Sequence, residues 1–137
     1  MNITTWQPPN LNLLMAWTWI LAGFSSGALL GLKFARNDWL GGYSSFRRRM
    51  YRLGHISFFG LGFVNLVFWL TASTLAAPPD VLLNIASLAF VTGAVAMPVC
   101  CLLMAHQPDA RPGTLFAVPV ASLMTGGTLT LWMLVSL

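Results

Sequence analysis

Residues 46–70 read FRRRMYRLGHISFFGLGFVNLVFWL. Four arginines, Arg47, Arg48, Arg49 and Arg52, lead directly into a run with no Asp, Glu, Lys or Arg as far as Leu75. A helix rises about 1.5 Å per residue, so roughly 20 apolar residues cross a hydrocarbon core about 30 Å thick. This segment is therefore a membrane span entered from a charged edge. The rest of the chain follows the same rule. Apolar runs cover about Leu11–Leu32, Leu53–Leu75, Val81–Ala105 and Thr114–Leu137. Lipid offers no partner to backbone N–H and C=O groups, so these spans are expected as helices, and the alternation a barrel strand needs is missing. The expected fold is all-α: residues 1–137 form one transmembrane domain of four helices in an antiparallel up-down bundle.

Composition agrees. Of 137 residues, 57% are hydrophobic and 7% charged, where a soluble domain carries about a quarter charged residues. The first apolar run lacks the basic n-region and small-residue cleavage site of a signal peptide and reads as a retained span. The net charge of +4 is concentrated. Lys33, Arg36, Arg47, Arg48, Arg49 and Arg52 lie between the first two spans, and Arg111 is the remaining basic residue. In so apolar a chain this pattern points to orientation and anionic lipid rather than nucleic acid. The loop is expected in the cytoplasm, with both termini outside, and a bacterial inner membrane is the simplest setting. Trp39, Tyr43, Phe46 and Tyr51 among its cations suit the headgroup layer, and an amphipathic helix from about Ser44 is expected to run into the second span.

Other signals concern packing. Gly23, Gly27 and Gly31 recur every four residues, which puts them on one helix face where another backbone can approach closely. Thr125, Gly126, Gly127 and Thr128 make a second smooth patch. Pro98 and Pro119 each deprive a carbonyl four residues back, of Ala94 and Leu115, of its helical donor, and each carbonyl then needs another partner. Asn65 and Asn84 are expected to face protein. Asp80 is expected to cap the third span, and Asp109 to pair with Arg111. The absence of a charged residue deep in any span argues against an ion or proton path.

His55 and His106 are the only histidines. His55 lies about 4.5 Å beyond Arg52 along the helix, and His106 ends the third span. If spans two and three run side by side in opposite senses, both imidazoles reach the cytoplasmic side. That is the arrangement for bis-histidine ligation of haem b, with Arg47, Arg48, Arg49 and Arg52 available to the propionates and Gly54, Gly60 and Gly62 giving room for the ring. The simpler reading is an interfacial anchor for His55 and a helix-end role for His106. Met97, Cys100, Cys101 and Met104 share a face whose soft ligands suit Cu(I), though Met and Cys also fill gaps in apolar packing. Adjacent cysteines do not suit a disulfide. No catalytic motif is present. The expected function is a non-catalytic accessory subunit of a larger inner-membrane complex of the electron-transfer kind, with a haem-bearing electron carrier as the alternative.

Overall fold

A computed structural model describes residues 8–76, 78–107 and 112–136, with the side chains of residues 112 and 113 left out. Four long helices account for most of it: α1 (Asn10–Leu32), α2 (Phe46–Thr74), α3 (Asp80–His106) and α4 (Pro112–Ser136). All four are long and apolar enough to cross a membrane. No strand occurs among the described residues.

The second helix begins seven residues before the apolar run of the sequence. Ser45 is the reason: its backbone is extended and its Oγ accepts from the Arg48 N–H at 3.2 Å. A hydroxyl cap satisfies one of the amide donors that open every helix, so the basic segment from Phe46 forms the first turns of α2. Asp80 does not cap α3. It is the first residue inside the helix, with Pro79 at the cap position and no side-chain cap bond. Its charge still suits the positive end of the helix dipole. Asp109 and Arg111 lie outside the described residues.

Contacts between helices have a simple order. Asn12 meets Asn65, Gly23 meets Phe59 and Gly27 meets His55, so one number falls as the other rises along α1 and α2. Phe68 against Phe90 and Gly54 against Cys101 repeat the pattern for α2 and α3. Gly126 against Phe90 and Gly93 against Leu123 repeat it for α3 and α4. In each of these neighbouring pairs, then, one number falls as the other rises. The assembly is a three-helix cluster of α1, α2 and α3, and α4 leans on α3. Phe68, Ala72, Ala86, Phe90 and Met133 form the main apolar core, at the end away from the basic loop.

Two sets of polar bonds fix this arrangement. In the first, Asn12 Nδ2 donates to Asn65 Oδ1 at 2.8 Å and to the Ser87 carbonyl at 3.3 Å. The Ser87 hydroxyl donates to Asn12 Oδ1, and Asn65 Nδ2 donates to the Leu61 carbonyl at 2.9 Å. All three side chains are fully buried. One amide thus joins three helices with both of its donors and its oxygen engaged. Asn84 is exposed and takes no part, contrary to the expectation that it faces protein. It stands four residues into α3, on the face turned away from the other helices.

In the second set, both carbonyls released by proline find donors on another helix. The Ala94 carbonyl accepts from the Trp19 indole Nε1–H at 2.9 Å, and the Leu115 carbonyl accepts from the Cys100 thiol at 3.1 Å. The prolines thereby convert intrahelical acceptors into interhelical ones. Restoring an N–H at position 98 makes the indole redundant. Trp19→Phe is expected to cost about 1 kcal/mol in the natural chain, the usual net value of such a bond, and much less in a Pro98→Ala background. A double-mutant cycle of unfolding in mixed detergent micelles measures this coupling.

Candidate functional site

The loop after α1 and the first turns of α2 hold every lysine and arginine among the described residues, all at one end of the molecule. Arg48 is only 3% exposed, which removes it from the expected set of propionate or lipid contacts. Its guanidinium donates to the Phe34 carbonyl at 3.0 Å and to the Arg36 carbonyl at 3.4 Å. The rings of Phe34, Trp39 and Tyr43 surround it at 5.2–5.7 Å from centroid to guanidinium carbon. Guanidinium is weakly hydrated and stacks on aromatic faces, so it tolerates such a cage where ammonium does not. The loop folds around it through a short 3₁₀ turn, Trp39–Gly41, followed by Gly42. Leu40, Gly41 and Gly42 all have positive φ, glycine's natural region and a strained one for leucine. The Ser45 hydroxyl holds the Leu40 carbonyl at 2.7 Å, across the turn.

The other arginines differ. Arg52 lies 4.4 Å from the centroid of the Tyr43 ring and donates to the Tyr43 carbonyl at 3.4 Å. Arg49 is exposed. Arg47 donates to His106 Nδ1 at 3.0 Å. Guanidinium only donates, so Nδ1 is the acceptor and Nε2 carries the hydrogen. Tyr51 Oη, 2.9 Å from Nε2, accepts it. Both nitrogens of His106 are thereby engaged.

His55 takes different partners. Its ring lies over Gly27, where an added Cβ would come within 2.8 Å of Cε1, and meets Phe59 edge-on at 5.5 Å. Ser26 Oγ lies 3.0 Å from Nδ1 and donates to the Gly23 carbonyl at 3.1 Å. A hydroxyl has one hydrogen, so with that hydrogen on Gly23 the bond to His55 runs from Nδ1–H to Oγ. Nε2 keeps a lone pair and has no hydrogen-bond partner among the described residues. Gly23 likewise receives the Phe59 ring, so two rungs of the glycine ladder hold α2 inside the molecule. Gly31 has open space beside it.

The two histidines, expected to face one another, thus belong to separate settings: His55 to α1, His106 to Arg47 and Tyr51. Gly54 is filled by Cys101 and Gly62 by the Ala16 carbonyl, which leaves Gly60 as the open position of the three. Cys100 spends its thiol hydrogen on Leu115, and both cysteines are free and buried. No group of three His, Cys, Asp or Glu suited to a metal ion occurs among the described residues.

A cavity of about 300 Å³ opens beside His55. Toward the opposite end, α1 is clamped to α3 by Asn12 with Ser87 and by Trp19 with Ala94. Past Trp19 no side-chain hydrogen bond joins the two helices among the described residues, and the wedge lined by both is the cavity. Ser26, Leu29, Leu30 and Lys33 line it from α1, Tyr51, Gly54, His55 and Phe58 from α2, Pro98 and Leu102 from α3, and Trp39 from the loop. Neither the wedge nor the roles of Asn12, Trp19 and Ser26 are foreseen from sequence. The signals available were a polar residue in α1 at the depth of Asn65, and the carbonyl Pro98 leaves open.

These features define a helical protein of the integral-membrane class, with a polar cluster at one end and a half-open cavity above it. The chain matches no family model, and neither the curated proteins nor the solved structures give a match.

Three substitutions probe the site. Gly27→Ala is expected to push the His55 ring aside and destabilise the fold by about 1–3 kcal/mol, as overpacking does. Gly31→Ala, with nothing nearby, is expected to be neutral or slightly stabilising. Thermal unfolding in detergent compares the two. Arg48→Lys keeps the charge but loses the planar fork, and is expected to expose residues 33–45 to trypsin at least several-fold faster in limited proteolysis.

Proposed function

We propose that this chain is a non-catalytic subunit of a larger complex in a bacterial inner membrane, of the electron-transfer kind. It crosses the bilayer up and down, with both termini outside and the basic segment in the cytoplasm. Lys33, Arg36 and Arg49 meet anionic lipid there.

The observation that carries this reading is the way α4 is attached. It packs on α3, and a groove of about 400 Å³ stays open between α4 and α2. Phe63, Val67, Phe90, Gly127, Thr130 and Leu131 line it. Gly127 has no atom near where a Cβ would stand. A slot with a smooth glycine wall suits an apolar helix from another subunit, because small residues allow backbones to approach closely. The buried amides and the proline-released carbonyls are consumed in holding the four helices together, which fits a structural role.

The test is purification of the tagged chain at native abundance in mild detergent. Stoichiometric membrane partners are expected, and Gly127→Trp is expected to release them while the chain remains monodisperse. A lone monomer overturns the reading. The haem alternative, with His55 and His106 as ligands, requires His106 to leave Arg47 and Tyr51. A reduced-minus-oxidised spectrum of the same preparation checks it: an α-band lost in His55→Ala and in His106→Ala establishes it, and a colourless preparation from haem-replete cells removes it.

A further inference from the structure

We infer that the wedge beside His55 is a binding site for the head of a lipid-soluble quinone or quinol. The argument starts from hydrogen-bond positions left unused. His55 Nε2 has no hydrogen-bond partner among the described residues, and with the Ser26 hydrogen on the Gly23 carbonyl the Nδ1–H donates to Ser26 and Nε2 is left as an acceptor. Tyr51 Oη accepts from His106 Nε2–H, and its own hydrogen has no acceptor among the described residues. Both side chains line the same cavity, as does Lys33. The site thus offers one acceptor, one hydroxyl donor and one cation, set among apolar walls.

A ring with two oxygens in para positions matches that set. In the quinol form an O–H donates to the imidazole, and in the quinone form a carbonyl accepts from the phenol or the ammonium. Trp39, Tyr51 and Phe58 supply aromatic surface for a flat ring. A volume of about 300 Å³ accepts a ring-sized head. Leu29 and Leu102 line the cavity and are exposed, at 66% and 41%, so they flank its mouth. An isoprenoid tail leaves between them into lipid.

A phospholipid head fits less well. No arginine lines the cavity: Arg47 bonds His106, Arg48 sits in its aromatic cage, Arg52 stacks on Tyr43, and Arg36 and Arg49 are exposed outside it. Lys33 is left as the cation that lines the cavity. The proposal concerns binding, with no transfer of electrons or protons.

The experiment places the full chain in phosphatidylcholine nanodiscs and titrates decylubiquinone while recording tryptophan fluorescence. A saturable component of quenching is expected in the natural chain and is expected to vanish in Trp39→Phe. His55→Leu is expected to weaken binding about tenfold, the value of one hydrogen bond. Leu102→Trp, at an exposed position where folding is not at stake, is expected to do so at least as strongly by narrowing the mouth. Quenching that never saturates, or an affinity unchanged by both variants, overturns the proposal. So does displacement of the quinone when phosphatidylglycerol replaces part of the phosphatidylcholine, since the occupant is then a phospholipid. The measurement uses the chain without partners, so its failure leaves the subunit reading standing.

Discussion

A carbonyl with no donor is costly in lipid, and the Ala94 carbonyl is where this chain meets that constraint. Pro98 removes its helical partner, and the Trp19 indole replaces it from another helix. That bond pins α1 to α3 at mid-depth. Toward one end the buried amides of Asn12 and Asn65 with Ser87 continue the clamp. Toward the other end no such bond joins α1 to α3 among the described residues, and α2 floors the cavity between them with Gly54, His55 and Phe58. The cavity thus begins where the bond between Trp19 and the carbonyl freed by Pro98 ends the clamp.

Much of this was legible in the sequence. Four apolar runs flanked by cations gave four helices, because length and polarity alone decide what can span a hydrocarbon layer. The glycine ladder gave a close helix contact, and Pro98 and Pro119 named the two carbonyls that would need donors. What the sequence could not supply was rotation about each helix axis. It placed His55 at a depth but not against Ser26, and it placed Asn84 inside a span but not on its outer face. Asn12 was overlooked because, one turn into the first span, it reads as part of the polar entry. Hydropathy put the apolar run at Leu53, and the helix expected from about Ser44 begins at Phe46, where Ser45 caps it.

The arginine cluster shows the same limit. Four cations within six positions look interchangeable on paper. In the fold, Arg48 is buried, Arg52 stacks on a ring, Arg47 bonds an imidazole and Arg49 is exposed. Helical geometry separates neighbours by about 100° around the axis, so consecutive arginines cannot share a role.

The Arg48 cage also determines how the loop responds to its surroundings. Its acceptors are the carbonyls of Phe34 and Arg36, and its other neighbours are ring faces. Carbonyl dipoles and ring quadrupoles carry no proton to gain, in contrast to the carboxylates that usually neutralise a buried arginine. Acidification, which loosens loops held by aspartate or glutamate, finds no such partner here among the described residues. Salt acts weakly as well, because the charge is withdrawn from the solution that would screen it. The loop around Arg48 is therefore built to keep one shape across changes of pH and ionic strength.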